Sequence, residues 1–419
     1  MKLKVLSTAI LLATLPTAGA FAAALDRSGQ SISAFLQPGN YFEAGISVLD
    51  PTVSGTTNAT LGGQNTGDMA GDYYFPSAAL KLQLTDNFSF GLLYDQPFGA
   101  DAEYTQSVAF TNPYQGNTSV EVDTQNISAI FGFQPTENWN FYGGGVYQTV
   151  KGSVKLRGAA YSVFGGYNGA TATPASAITA YDANIKEDSA AGWLAGFAYQ
   201  IPEIALKASV TYRSEIEHNM NVQETIVNPA VIGLPAALLP GYTDGSTQIT
   251  TPQSVNLDFQ TGIMADTVAF ANVRWVNWKD FSIRPNKFGQ LANALTQAGS
   301  VPGQTNGFDL VAYTDDQISA TVGVGRKFDE KWAGNVSVGY DTGAGNPVST
   351  LGPTEGYWNL GLGLQFSPAP NYFIAGGVKY FWLGDANAQS GAQFNTPATV
   401  AKFEDNDAWA YGLKIGYRF

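Results

Sequence analysis

From about residue 40 to its end the chain alternates, residue by residue, between apolar and small or polar side chains. The segments that do so are joined by links that are short and long in strict turn. The last segment is the clearest. Trp409, Tyr411, Leu413, Ile415, Tyr417 and Phe419 fall on one face of an extended strand, and Ala408, Ala410, Gly412, Lys414, Gly416 and Arg418 on the other. Phe42, Ala44, Ile46 and Val48 repeat the pattern, as do Ala78 to Leu84, Ile204 to Tyr212, Val255 to Thr261 and Ile318 to Val324. Fourteen such segments are expected, at about 40–50, 73–85, 88–95, 124–134, 139–156, 189–200, 204–214, 252–264, 268–279, 315–328, 332–342, 355–366, 371–383 and 406–419.

Short links follow every even segment: Asp86-Asn87, Pro135 to Asn138, Ile201 to Glu203, Ala265 to Thr267, Asp329 to Lys331 and Ser367 to Pro370. Long links follow every odd one, at roughly 51–72, 96–123, 157–188, 215–251, 280–314, 343–354 and 384–405. A soluble sandwich or propeller has many strands but not this alternation, which belongs to an antiparallel, up-and-down transmembrane β-barrel with short periplasmic turns and long extracellular loops. An even strand number then puts both chain ends in the periplasm. Trp139 and Trp332, just after short turns, and Trp275, Trp278, Trp382 and Trp409, near long-loop ends, suggest two interfacial aromatic girdles. Trp193 and Trp358 fit them less well.

Composition agrees. Charged residues are 13% of the 419, against roughly 25% in soluble domains, with 47 glycines and 13% aromatics. Lys2 and Lys4, the apolar run Val5 to Leu15 and Ala20-Phe21-Ala22 read as a cleaved signal peptide over 1–22, too short in its apolar part to span a bilayer. Residues 23–39 are then an N-terminal hatch or plug segment, or alternatively a disordered tail, and 40–419 the barrel. Two of the 21 basic residues lie in the signal peptide, leaving a net charge of −15 on the rest, which argues against nucleic acid. With no cysteine, one histidine and no P-loop, zinc or EF-hand motif, neither an enzyme nor a metal or cofactor site is expected. His218 reads as an ordinary surface residue of a long loop.

Several runs carry a family resemblance. Gly192-Trp193-Leu194-Ala195-Gly196 followed by Thr211-Tyr212-Arg213-Ser214-Glu215, then Trp275-Val276-Asn277-Trp278-Lys279-Asp280-Phe281, and Asp341-Thr342 to Pro347 with Tyr357-Trp358, resemble the FadL/TodX family of outer-membrane channels. The family's N-terminal Asn-Pro-Ala motif is missing from the short segment before the first strand; Asn228-Pro229-Ala230 lies in a long loop. The resemblance implies uptake of a long-chain fatty acid or other hydrophobic small molecule by a monomer. Capture would occur in an extracellular apolar groove, and release would be sideways into outer-membrane lipid at a kink in the third strand. The residues expected to line the groove are Tyr161, Val163, Phe164, Ile232, Leu234, Leu238, Leu239, Phe288 and Leu291, although these side chains would serve equally to pack the loops as lids. Lys155 or Arg157 would meet a ligand carboxylate, with Lys81, Lys207, Arg213, Arg274 and Lys379 as further lumen-facing cations. Pro97 and Gly99 would break the third strand for lateral exit, or simply end it. Phe419 would be read by the barrel-assembly machinery. The alternative function is a water-filled general diffusion porin.

Overall fold

The computed structural model describes residues 25–164, 181–226, 234–238 and 245–419. One sheet of seventeen segments closes on itself, and because three of its strands are interrupted these make fourteen barrel strands. They are β1 (Tyr41–Thr52), β2 (Tyr73–Gln83), β3 (Phe88–Asp95 and Gly99–Glu103), β4 (Ser119–Phe133), β5 (Trp139–Leu156), β6 (Tyr181–Ile201) and β7 (Leu206–Arg213 and Ile216–Ile226). The rest are β8 (Gly245–Thr251 and Ser254–Met264), β9 (Thr267–Val276), β10 (Gln317–Lys327), β11 (Trp332–Asp341), β12 (Tyr357–Ala369), β13 (Tyr372–Leu383) and β14 (Asp407–Arg418). All neighbours run antiparallel. β1 pairs with β14 from Tyr41↔Arg418 to Thr52↔Asp407, so the sheet closes and leaves no open edge strand to aggregate. No helix among the described residues is long and apolar enough to cross a membrane.

The alternation fixes the outer face. Trp409, Tyr411, Leu413, Ile415, Tyr417 and Phe419 are all exposed on β14, as are Trp358, Leu360, Leu362 and Leu364 on β12. Aromatic pairs mark both ends of this belt. Trp139 with Tyr199 (centroids 4.8 Å apart) and Trp332 with Phe366 (4.6 Å) sit at the short-turn end, and Tyr340 with Trp358 (4.6 Å) and Tyr380 with Trp409 (4.8 Å) at the other. Trp193 and Trp358 therefore join the girdle, contrary to expectation. Trp278 leaves it: this side chain is fully buried inside.

Strands β4 and β6–β8 run further than their sequence suggested. β6 begins at Tyr181, β7 continues to Ile226 and β8 begins at Gly245. On the added stretch of β7 the outward residues are Glu217, Asn219, Asn221 and Gln223, and the inward ones Ile216, His218, Met220 and Val222. The period of two persists, but water rather than lipid lies outside, so the polarity inverts and the segment reads as loop. This raised wall carries a lid from the β9–β10 connection, the helix α1 (Asn286–Gln297). Glu224 of β7 accepts hydrogen bonds from the first-turn amides of Lys287 (2.7 Å) and Phe288 (2.8 Å), satisfying donors that the helix leaves open. Four short strands, Gly55–Thr57, Ala401–Phe403, Ala386–Gln389 and Val348–Ser349, tie three other long loops together.

Residues 25–40 lie within the lumen. Ile32, Ala34, Phe35 and Leu36 pack with inward-facing Leu93, Ile130, Tyr142 and Leu194 in one buried cluster. Phe35 meets Tyr142 edge-on at 5.7 Å and occupies space left by two glycines: a Cβ on Gly91 would lie 2.4 Å from its ring, and one on Gly132 2.9 Å. Gly91→Leu is therefore expected to expel Phe35 and loosen the segment without altering the barrel. Limited proteolysis should then cut before Tyr41, while the heat resistance of the barrel is unchanged.

Candidate functional site

The lumen is divided into two chambers by this N-terminal segment and by the break in β3. At the break the ladder with β4 passes from Asp95↔Asn126 to Gly99↔Asp123, so Gln96, Pro97 and Phe98 oppose only Thr124 and Gln125. Pro97 has no amide to give to a ladder. The N-terminal segment takes up the freed groups: Arg27 N–H donates to Pro97 O (2.7 Å) and Gly99 N–H to Leu25 O (2.9 Å). The Thr124 hydroxyl meets both the amide (2.8 Å) and the carbonyl (2.6 Å) of Phe98. On its other edge β3 pairs with β2 only from Ala78↔Tyr94 to Gln83↔Ser89, so Tyr73 to Ser77 of β2 are laddered to β1 alone. The wall is opened between β2 and β3 at this height.

Towards the long loops lies a small apolar chamber. Leu25 floors it, Phe98, Val122, Val150, Ile185, Met220 and Ile249 wall it, and Trp278, Phe281 and Ile283 roof it. Trp278 holds the roof. Its ring meets Phe98 (5.5 Å), Phe281 (5.1 Å) and Tyr313 (5.2 Å) edge-on, and its indole N–H donates to Gln317 (2.8 Å). Below, a second and more polar chamber of about 1240 Å³ is lined by Ser28 to Ser31 of the N-terminal segment, Arg213, Asp258 and Lys379. It reaches the β2–β3 opening at Ser77, Ala78, Tyr94 and Asp95.

The N-terminal segment is pinned by charge. Asp26 and Arg274, both buried, pair at 2.7 Å. Arg274 also donates to Asn256 (2.7 Å) and Gln30 (3.0 Å), and Asn256 donates to Gly29 O (2.8 Å). Lys207 reaches Leu36 O at 2.8 Å and Lys81 reaches Gly39 O at 2.9 Å, so these two lumen cations hold backbone carbonyls. Arg213 differs. It is buried, and its Nη1 has no hydrogen-bond partner among the described residues.

The residues singled out in the sequence fall in several places. Pro97 and Gly99 stand at the β3 break and at the contact with the N-terminal segment. Phe288 and Leu291 are fully buried on α1, the former against Tyr181 (5.1 Å) and Phe308 (5.7 Å). Leu234 is buried and Leu238 half-buried against the same cluster. Tyr161 turns elsewhere, its hydroxyl on Thr350 (2.7 Å) and its ring near Phe110, and burial pushes its phenol pKa up. Val163 and Phe164 end a short helix, and Ile232 and Leu239 lie outside the described residues, as do 1–24 and Asn228-Pro229-Ala230. None of those whose side chains are described lines the apolar chamber.

Lys155 is not in the lumen. Odd positions of β5 point outward, and it is exposed at the barrel's surface. Arg157 is buried but saturated, pairing with Asp182 (2.7 Å) and donating to the carbonyls of Leu156 (3.1 Å) and Tyr181 (3.0 Å). His218 is not a surface loop residue: it is wholly buried on β7, with Nδ1 facing Asp188 (3.0 Å) and Nε2 facing Gln148 (3.0 Å). Trp278, Phe98 and Arg274, the centre of the site, were missed as such. The signal for Trp278 was present in its spacing, since it stands beyond the end of β9 while Trp275 stands within it.

A family model described as outer membrane protein transport protein (OMPP1/FadL/TodX) matches residues 21–419. No curated protein matches in sequence. Among solved structures, a FadL homologue from Pseudomonas aeruginosa is similar, with a TM-score of 0.67 and 13% identity over 96% of this chain and 98% of that one. The toluene transporter TodX of P. putida follows at 0.61 and 14%, over 92% and 91%, and the monoaromatic hydrocarbon channel CymD at 0.53 and 11%, over 92% and 89%. At these identities the likeness speaks for the fold.

Proposed function

The chain belongs to the OMPP1/FadL/TodX family of outer-membrane transport proteins for hydrophobic compounds, and from that premise we propose that it takes up an apolar small molecule through the dry chamber beneath Trp278. The observation that carries this reading is the chamber itself: apolar, roofed against the long loops, floored by the N-terminal segment and ending at the break in β3. A general diffusion pore needs a continuous wet lumen, and a lumen crossed by Phe35 and by the Asp26–Arg274 pair suits it poorly. In this reading the signal peptide 1–22 is removed, both ends face the periplasm and the long loops face outward. Tyr161, Val163, Phe164, Ile232, Leu234, Leu238, Leu239, Phe288 and Leu291 belong to the outer cap that the ligand meets first. The N-terminal segment acts as a hatch, the ligand leaves between β2 and β3 past Pro97 and Gly99, Phe419 is the assembly signal, and the protein works as a monomer.

The test is to close that exit. The β2–β3 ladder ends at Ala78↔Tyr94, and its register continued across the opening sets Phe75 of β2 against Pro97 of β3. Cysteines at both, oxidised, are expected to stop uptake of a fluorescent long-chain fatty acid into liposomes, with recovery on reduction. Undiminished uptake in the oxidised state would remove the exit from the mechanism.

The substrate class turns on Arg213, the buried cation with an unmet nitrogen, in place of Lys155 and Arg157. Arg213→Met is expected to weaken binding of a fatty acid about tenfold, the worth of one charged hydrogen bond, and to leave binding of toluene unchanged. Equal effects on both ligands would point to a hydrocarbon substrate with Arg213 serving structure alone.

A further inference from the structure

The wall is interrupted a second time, between β6 and β7. Near the long loops Tyr181 to Ile185 pair with Ile226 to Val222, and nearer the short turns Leu194 to Ile201 pair with Arg213 to Leu206. Both stretches keep one register, so Lys186 to Trp193 stand opposite Ser214 to Asn221, yet among the described residues no ladder pair joins them. The cause is a mismatch of pleat. β6 carries a bulge beside the gap, where Lys186 and Glu187 oppose only Lys151 of β5, and a bulge flips the faces that follow it. β7 makes its own change of face at the other end of the gap, at Ser214 and Glu215. Between the two shifts an inward residue on one strand stands opposite an outward one on the other, as His218 does to Ser189 and Ile216 to Ala191.

One backbone bond remains at the lower end of the seam, Ser214 N–H to Trp193 O at 2.9 Å, and above it side chains span the gap. Trp193 N–H donates to Ser214 Oγ at 3.0 Å, and Asp188 meets His218 at 3.0 Å. Ile216 covers Gly192, where a Cβ would fall 2.6 Å from its Cγ1. A narrow crevice lies at this place, lined from the lumen by Gln30, Phe98 and Gln148 and at the seam by Trp193, Ser214 and Ile216. Trp193 is 52% exposed on the outer face, while Phe98 and Gln30 lie in the lumen at the β3 break and the hatch. The apolar chamber reaches the upper end of the seam at Ile185 and Met220.

We propose that the β6–β7 seam is a second lateral portal, passing an apolar molecule with one polar end between the lumen and the outer part of the membrane. The proposal rests on the transport reading above. Parting an intact ladder in lipid strands a backbone donor and acceptor at every step, whereas parting this seam turns Ile216, separates His218 from Asp188 and, at its lower end, breaks the two bonds between Trp193 and Ser214. Trp193 packs on Tyr212 at 5.1 Å in the aromatic belt, so the portal opens at the interface, where the polar end of an amphiphile rests. Inside, His218 and Gln148 offer that end partners, and Ile216 and Met220 receive the chain.

Ala191 and Glu217 are both exposed on the outer face across the seam. Ala191→Cys with Glu217→Cys, joined by a short bis-thiosulfonate and verified by intact mass, would close it. The first readout is photolabelling of micelle-embedded full-length protein with adamantyl diazirine, mapped at the inward-facing His218 and Gln148. Bridging is expected to lower labelling about threefold and Ile216→Ala to raise it by a similar factor, since the side chain acts as the gate. The second is uptake of a fluorescent long-chain fatty acid into liposomes, expected to slow about threefold on bridging. Labelling that ignores both the bridge and Ile216→Ala overturns the portal. Labelling that responds while the unbridged protein moves no fatty acid leaves the portal standing and overturns the transport reading instead.

Discussion

Arg274→Met is expected to turn a plugged channel into a leaky one. The guanidinium is buried with the Asp26 carboxylate at 2.7 Å and also satisfies Asn256 and Gln30, so one side chain ties the N-terminal segment to β8 and β9. Removing it leaves a buried carboxylate without its partner, a loss of about 3–5 kcal/mol. That exceeds what the remaining backbone contacts of so short a segment, about 1 kcal/mol each, readily withstand. The barrel itself loses nothing, because its ladder closes through β1 and β14 independently of the segment. Single-channel conductance should rise about tenfold, as expected when a fourteen-strand lumen is unblocked, with unchanged far-ultraviolet circular dichroism. Asp26→Asn combined with Arg274→Met removes the stranded charge and should recover much of the block, since buried pairs replaced together are near neutral. A conductance equal to that of the unaltered protein in the single variant would mean that the pair does not hold the hatch.

Trp278→Ala should abolish tight binding of an apolar ligand. The indole has no exposed surface and forms the chamber roof against Phe98, Phe281 and Tyr313. Truncating a buried aromatic of this kind costs about 3–5 kcal/mol in local packing. It also joins the chamber to the loops, so water enters and the ligand loses its dry surroundings. A fall in affinity of about a hundredfold follows from the loss of roughly 3 kcal/mol of apolar burial, measurable by quenching of a fluorescent fatty acid. Trp278→Phe keeps the ring contacts and loses only the bond to Gln317, so it should retain most of the affinity. Equal binding by all three proteins would move the ligand site away from this chamber.

The parts that failed to show in the sequence share one origin. Lys155, expected in the lumen, stands outside, because β5 keeps one phase from Trp139 to Leu156 and its outward residues turn polar where the strand rises beyond the lipid. His218 was placed on a loop and stands inside, because β7 continues beyond the lipid and its outward residues become polar there. The groove residues were read from loop composition. Phe288, Leu291 and Leu234 are apolar for a reason that composition cannot separate from ligand binding, namely that they bury one another beneath the cap.

The sequence by itself determined the number of strands, their order and most of the lipid-facing set, because each is written in a local signal, a period of two or a link length; whether Pro97 ends β3 or interrupts it was left open there, and the strand resumes at Gly99. Only the tertiary structure decided what fills the barrel. Asp26 meets Arg274 across 248 residues of chain, Phe35 finds the space above Gly91 and Gly132, and Trp278 turns inward rather than to lipid. Those meetings follow from how far the strands stagger as the sheet closes, a property of the whole ring that no short segment carries.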